Sequence, residues 1–329
     1  MKPITIDRAA PAAGRFKLSA DGVQNLTMVG ILLAMCVIVA LIEPKFLSLQ
    51  NFSNIFMQIS SVVIVSSAVT MVLISGNLDL SVGGVGAMAG VLFALFAQAK
   101  MPVLPAAALA VLCGGLVGLL NGSIISALRL PSFIITVATM YISRGIAYIG
   151  AGGAVITGGL PGDFGNMGQD FLGPIPLPLV YTFLVFAALI FVQTRTVLAK
   201  RAYAIGSNIK AAELSGISIF SVVTVIFTLT GLLAAFAGVV LTSRFGLADC
   251  RILPGFEVDC VIAAVLGGTE INGGRGTVFG MIIGALIVGV LGNLLNMLGF
   301  AFYNQYVVKG IVLVLAIVLN TAIRNTVRV

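Results

Sequence analysis

Residues 52–75, 103–128 and 218–243 contain no charged side chain, and seven more runs along the chain come close to that. An uninterrupted apolar run of about 20 residues is what crosses the hydrocarbon of a bilayer as a helix. The ten runs are residues 24–43, 52–75, 83–99, 103–128, 131–150, 178–194, 218–243, 256–268, 275–298 and 303–322. They are continuous rather than alternating, which excludes a transmembrane barrel. In lipid a helix satisfies its own backbone groups, so a helical bundle is left. The fold expected is all-α, a polytopic membrane bundle of about ten segments with short or broken helices. The eighth run is too short to span. It is either half a helix or part of a helix fused with its neighbour.

Charge supports the same reading. Only 9% of the 329 residues are charged, too few to cover a water-facing surface. The net charge of +7 follows topology rather than a nucleic-acid partner. With the N-terminus placed in the cytoplasm, twelve Lys and Arg fall on the inner side and four on the outer side, with Arg144 and Lys309 inside segments. That is the positive-inside bias, and it puts both termini in the cytoplasm. The domains expected are a tail over 1–23, a membrane domain over 24–322 and a tail over 323–329. The first 20 residues are polar and the first run is long enough to remain an anchor, so no cleavable signal is expected.

Much chemistry is missing. There is no histidine, no C-x-x-C pair and no G-x-x-x-x-G-K-[ST] loop. No nucleophile elbow or H-E-x-x-H appears either. Catalysis, metal binding and ATP binding by this chain are not expected. Cys250 and Cys260 are expected as free thiols in preference to a disulfide. A proton-driven carrier buries acids or histidines along its path, and few such groups lie deep in these runs. The chain therefore reads as a channel or carrier body energised from elsewhere. A stand-alone secondary carrier and a membrane scaffold or sensor are the rival classes.

Two loops stand out. Residues 151–178 form an outer loop rich in Gly and Pro. Residues 195–216 form a basic inner loop with helical character. A long inner loop in a bundle joined by short ones is a candidate contact surface. The small residues Ala211, Ala212 and Gly216 would let another protein approach closely. Glycines at every fourth position, Gly114, Gly118 and Gly122 among them, let helices touch in lipid.

Polar residues inside the runs are sparse. In S-G-N-L-D-L-S-V-G-G (75–84), Asp79 or Ser81 is placed to cap the helix that begins near Val82. The glycines supply a break, and breaks in transporter helices mark where a path forms. G-G-T-E-I-N-G-G-R-G (267–276) is a similar break, too weakly matched to establish an internal repeat. Arg144 and Lys309 each lie about six residues from an outer helix end, where snorkelling to the interface is the first reading and lining the path the second. Asn293 and Asn296, at i and i+3, either bridge helices or meet a polar solute.

These residues carry a resemblance. E-P-K-F-L-S-L-Q-N-F-S-N-I (43–55), D-L-S-V-G (79–83), F-I-I-T (133–136) with R-G (144–145) and A-I-G-S-N-I-K-A-A-E-L-S-G-I (204–217) come in order. G-F-E-V-D (255–259), A-A-V-L-G-G-T (263–269), G-G-R-G (273–276), N-L-L-N-M-L-G (293–299) and Y-N-Q-Y-V-V-K (303–309) follow. Together they resemble the membrane permease subunit of ribose-type ABC sugar importers, along nearly the whole chain after about residue 25. One departure is the pair Asn77 and Leu78 before Asp79, where the family pattern often has one residue.

The resemblance implies the translocation subunit of an ATP-driven importer of a monosaccharide or similar small polar solute, in the bacterial inner membrane. It implies a second permease copy, a cytoplasmic ATPase that holds ATP and Mg, and a periplasmic binding protein that engages loops 151–178 and 244–255. This chain itself would bind no cofactor. Lys200, Arg201, Gly206, Ala211, Ala212, Glu213, Gly216 and Ile217 would couple to the ATPase. Asp79, Ser81, Arg144, Glu257, Asp259, Asn293, Asn296, Gln305 and Lys309 would serve the pathway or its gates.

Overall fold

A computed structural model of the protein describes residues 20–327, so residues 1–19 and 328–329 of the tails assigned to 1–23 and 323–329 lie outside the described residues. The long helices are α1 (Ala20–Ile42), α2 (Leu49–Ile74), α3 (Val82–Gln98), α4 (Val103–Leu128) and α5 (Ser132–Ala151). A short α6 (Asn166–Gln169) precedes α7 (Leu177–Arg195), α8 (Val197–Ser207), α9 (Ile209–Leu214) and α10 (Ile219–Phe245). The chain closes with α11 (Phe256–Leu266), α12 (Val278–Met297) and α13 (Phe302–Val327). α1 begins at Ala20 and α13 runs on to Val327. Among the described residues, α2, α4, α5, α7, α10 and α12 are each long and apolar enough to cross a membrane.

Helix starts follow local chemistry. Ser48, Asn208, Ser218 and Thr277 each accept a backbone N–H from the first turn of α2, α9, α10 and α12. Such side chains satisfy donors that a helix N-terminus leaves open. α10 ends on Gly246 in the left-handed region, φ 66°. Its 27 residues extend about 40 Å at 1.5 Å per residue.

α2, α3 and α10 form the interior, whereas α5 and α7 are mostly exposed. α10 packs along α4, and the glycine stripe explains how closely. A Cβ on Gly118 would strike the Phe227 carbonyl, and one on Gly114 would strike Ala235. The buried hydroxyls of Ser67 and Thr70 donate to carbonyls one turn back, Val63 at 2.6 Å and Ser66 at 2.7 Å, so α2 carries them in the core without another partner.

Loops 151–178 and 244–255 are ordered rather than open. β1 (Val155–Ile156) pairs antiparallel with β4 (Ala248–Asp249), with Val155 opposite Asp249. β2 (Phe171–Leu172) pairs with β3 (Ile175–Pro176). Ser243 on α10 accepts the Gly168 N–H at 3.0 Å and donates to the Phe164 carbonyl at 2.7 Å. Phe164 stacks on Phe93 with ring centroids 4.5 Å apart. Loops 151–178 and 244–255 thus form one surface.

Candidate functional site

The break between α2 and α3 is fixed by side chains. Asp79 is buried, and its Oδ1 accepts both the Ser81 N–H at 2.8 Å and the Ser81 hydroxyl at 2.6 Å. This corrects the simple capping expectation. Ser81 occupies the N-cap position but makes no cap bond, because its hydroxyl is turned back onto Asp79. Asn121 of α4 donates to the same hydroxyl at 3.2 Å. Ser132 and Thr136 at the start of α5 hold the N–H and C=O of Leu78. The additional residue before Asp79 also has a place: Asn77 faces an inner cavity of about 540 Å³.

The second break, between α11 and α12, meets the first. Gly274 N–H donates to the Ile74 carbonyl at 2.8 Å. A Cβ on Gly273 would lie 2.7 Å from the Gly76 Cα and 2.9 Å from the Gly206 Cα. Gly206, near the end of α8, has the Ile74 carbonyl and the Gly274 N–H against its own missing side chain. Two breaks nearly 200 residues apart in sequence therefore touch a single glycine of the basic inner segment. Tyr203 on the same helix donates to the Gly276 carbonyl at 2.5 Å. Gln193 of α7 donates to Tyr203 at 2.9 Å and accepts the Val278 N–H at 3.0 Å.

The inner segment is two helices joined at Asn208, not one. Lys200, Arg201, Ala211, Glu213 and Gly216 are exposed and Ile217 is half-buried. Ala212 is buried, which corrects its expected place on the contact face, and Gly206 points into the junction. Leu214 at the end of α9 is 91% exposed. It lies between Glu213 and Ser215, a position that sequence reading passed over. Glu213 pairs with Arg129 at the end of α4, 2.7 Å. The same cavity that holds Asn77 separates α9 from the bundle.

At the far end of α10 a second polar group gathers. Lys309 does not snorkel: its ammonium meets Asp259 Oδ2 at 2.6 Å, with both side chains largely buried. Arg144 reaches the outer loop but ends on protein, donating to the carbonyls of Cys250, Ile252 and Leu253 at 3.1, 2.6 and 3.2 Å. Glu257 packs where a Cβ on Gly83 would sit. Asn293 and Asn51 exchange amide hydrogen bonds at 2.8 and 3.1 Å, so Asn293 bridges α12 to α2. Asn296 instead accepts from Gln305 at 2.8 Å. In the outer loop, hydrogen bonds from Arg251 hold the Asp249 carboxyl below its ordinary value. All four cysteines are free thiols, with Cys250 and Cys260 buried.

Sequence reasoning missed Tyr203 and Gln193, and it marked the breaks holding Gly76 and Gly273 without foreseeing that they touch. Tyr203 is the one aromatic in the basic segment, which was a usable hint.

Residues 51–317 match the family model described as branched-chain amino acid transport system / permease component. The ribose import permease protein of Bacillus subtilis is 38% identical over 307 residues, covering 92% of this chain and 95% of the relative. The D-allose transport system permease protein of Escherichia coli is 35% identical over 299 residues, 89% and 91% of the two chains. The L-arabinose ABC transporter permease protein of Azospirillum brasilense is 33% identical over 305 residues, 92% and 90%. No solved structure matches.

Proposed function

Since this chain belongs to the branched-chain amino acid transport system / permease component family, in its ribose-type ABC branch, we propose that it carries a monosaccharide across the bacterial inner membrane as one of two permease copies. It is a multi-pass transport subunit and not an enzyme. ATP and Mg act on a partner ATPase, and a periplasmic binding protein delivers the sugar to the surface made by loops 151–178 and 244–255. About ten segments lie in the membrane with both termini cytoplasmic, over a membrane domain of 24–322.

The observation that carries the coupling mechanism is the contact of both breaks with Gly206. ATPase docking on Lys200, Arg201, Ala211, Glu213, Leu214, Gly216 and Ile217 moves α8 and α9. Gly206 and Tyr203 pass that motion to the helix ends on either side of both breaks. The α9 cavity leaves room for it. A partner shifts such an equilibrium only through different affinity for the two states. Moving it from 1:99 to 99:1 requires about 5.5 kcal/mol, which ATP-bound closure of the ATPase has to supply. Asp79, Ser81, Arg144, Glu257, Asp259, Asn293, Asn296, Gln305 and Lys309 position the breaks and the outer gate. The neutral amide pair and the buried ion pair fix helix register.

The test is gentle extraction from the native membrane and identification of what accompanies the chain. An ATPase carrying G-x-x-x-x-G-K-[ST] motifs is the expected companion. Reproducible isolation without one, under conditions that preserve other transporter complexes, would overturn the importer reading in favour of a carrier or scaffold.

Two substitutions probe the parts. Gly216 lies at φ 77° on the exposed end of α9, with open space around it. Gly216→Arg should insert normally and abolish uptake by blocking the docking face; normal uptake would remove that face. Asp79→Ala leaves a buried N–H without its acceptor, at a cost of about 1–2 kcal/mol. Uptake or membrane level should fall, read by transport beside quantitative immunoblotting, and no change in either would remove Asp79 from the gate.

A further inference from the structure

The segment between α10 and α11 does not stay at the surface. β4 ties its start to β1, and from there it turns down into the bundle. Leu253 marks the depth. Its Cδ1 lies 2.6 Å from where a Cβ on Gly86 would sit, and the Ala234 carbonyl lies 3.2 Å from the same point. Ala234 comes eleven residues before the end of α10, so the segment re-enters by about 16 Å at 1.5 Å per residue. Irregular backbone at such depth persists only where protein or trapped water satisfies it.

One side chain supplies that need. Arg144 on α5 donates from Nη1 to the Cys250 and Ile252 carbonyls and from Nη2 to the Leu253 carbonyl. Among the described residues, no other side chain donates to these three oxygens. The held conformation is strained. Leu253 is buried and left-handed, φ 57°, a region that a branched side chain enters only when its surroundings force it. Leu253 and Pro254 also line an outer cavity of about 310 Å³, which gives the segment room to leave.

A second acceptor waits beside the first. Glu257 Oε2 is buried and has no hydrogen-bond partner among the described residues. Glu257 Oε2 and the Leu253 carbonyl press on the same bare side of Gly83, the carbonyl 3.1 Å from where a Cβ would be. The oxygen without a donor is therefore a neighbour of one on which Arg144 spends a donor. Lys309, the other cation near α11, is held by Asp259. A buried carboxylate oxygen left unmade is costly, and a guanidinium makes the strongest bond to it. Three carbonyls of a strained segment and one carboxylate compete for a single guanidinium, which is a two-state arrangement.

We infer that Arg144 and Glu257 are the latch of the outer gate: Arg144 holds residues 250–253 down inside the bundle, and Glu257 takes the guanidinium when they lift. This rests on the importer reading and adds how docking of the binding protein opens the path. Docking on loop 244–255 draws the three carbonyls away from Arg144. Leu253 then relaxes out of the left-handed region, and its side chain leaves the space over Gly86. Water satisfies the freed carbonyls, and Glu257 keeps Arg144 from being left bare. Arg144 is a positioning residue, acting on the path through the segment it holds.

Cys250 reports the latch, because it lies in the held segment and is fully buried. The experiment uses the permease–ATPase complex in nanodiscs, with Cys36→Ser, Cys113→Ser and Cys260→Ala leaving Cys250 as the one thiol of the chain. Its rate of reaction with a small charged methanethiosulfonate is measured at rest and during turnover with ATP and binding protein loaded with D-ribose. Cys250 should be protected at rest and react faster in turnover. Arg144→Gln should raise the resting rate at least about tenfold, the size of losing one hydrogen bond to a charged group. Glu257→Gln should keep the resting protection and lose most of the rise in turnover. Its uptake should fall in kcat, with the half-saturating concentration of binding protein unchanged. A merely structural Glu257 would alter the resting rate instead. Resting protection in Arg144→Gln equal to that of the unchanged chain overturns the clamp, whether or not the complex transports. An equal rise with and without Glu257→Gln, in a complex that imports sugar, overturns the exchange and leaves the importer reading standing. Glu257→Gln decides alone if Arg144→Gln fails to assemble. A complex that retains no ATPase and carries no sugar overturns the importer reading, and the resting comparison still judges the clamp.

Discussion

Gly206→Val abolishes uptake, and basal ATP hydrolysis by the complex survives while stimulation by sugar-loaded binding protein is lost. The reason is geometric. A Cβ at position 206 runs into the Ile74 carbonyl and the Gly274 N–H, both backbone atoms that cannot rotate aside. Overpacking a tight contact costs about 1–3 kcal/mol when side chains can adjust, and more when they cannot. The strain falls where both breaks meet α8, so the helix ends part from the segment that moves them. The exposed residues of α9 are untouched, and the ATPase still docks. Transport per folded molecule, with the complex quantified by size-exclusion chromatography, checks this. Wild-type stimulation in Gly206→Val would show that motion does not pass through this junction.

Lys309→Met destabilises the protein by about 3–5 kcal/mol, because it leaves the Asp259 carboxylate buried without its cation. Both side chains are less than a quarter exposed, so solvent screening does little to soften the loss. The double variant Asp259→Leu with Lys309→Met recovers most of that stability, since an apolar pair of similar volume replaces a buried ion pair at small cost. Thermal unfolding of the purified complex, run as a double-mutant cycle, measures the interaction. A single variant as stable as wild type would show that the pair is open to water.

The helical membrane bundle and the positions of its breaks were readable from the sequence. Runs without charge set helices in lipid, the Lys and Arg positions set an orientation, and D-L-S-V-G and G-G-R-G marked breaks. The direction of each polar side chain was not readable. Arg144 and Lys309 looked alike by distance from a helix end, yet one binds three loop carbonyls and the other a carboxylate. Asn293 and Asn296 are three residues apart, and one spans to α2 while the other turns to α13. Ala212 fitted a docking pattern of small residues and is buried, while Leu214 fitted none and is exposed.

The sequence by itself determined that this chain is a membrane helical bundle with glycine breaks and a basic segment over 195–216. Those properties are local: hydropathy, charge bias and backbone permissiveness act over one helix length. Only the tertiary structure decided that Gly76, Gly206 and Gly273 share one contact and that Lys309 pairs with Asp259. Such contacts join residues tens to hundreds of positions apart, and whether two backbones approach or a carboxylate oxygen finds a partner depends on how whole helices are packed.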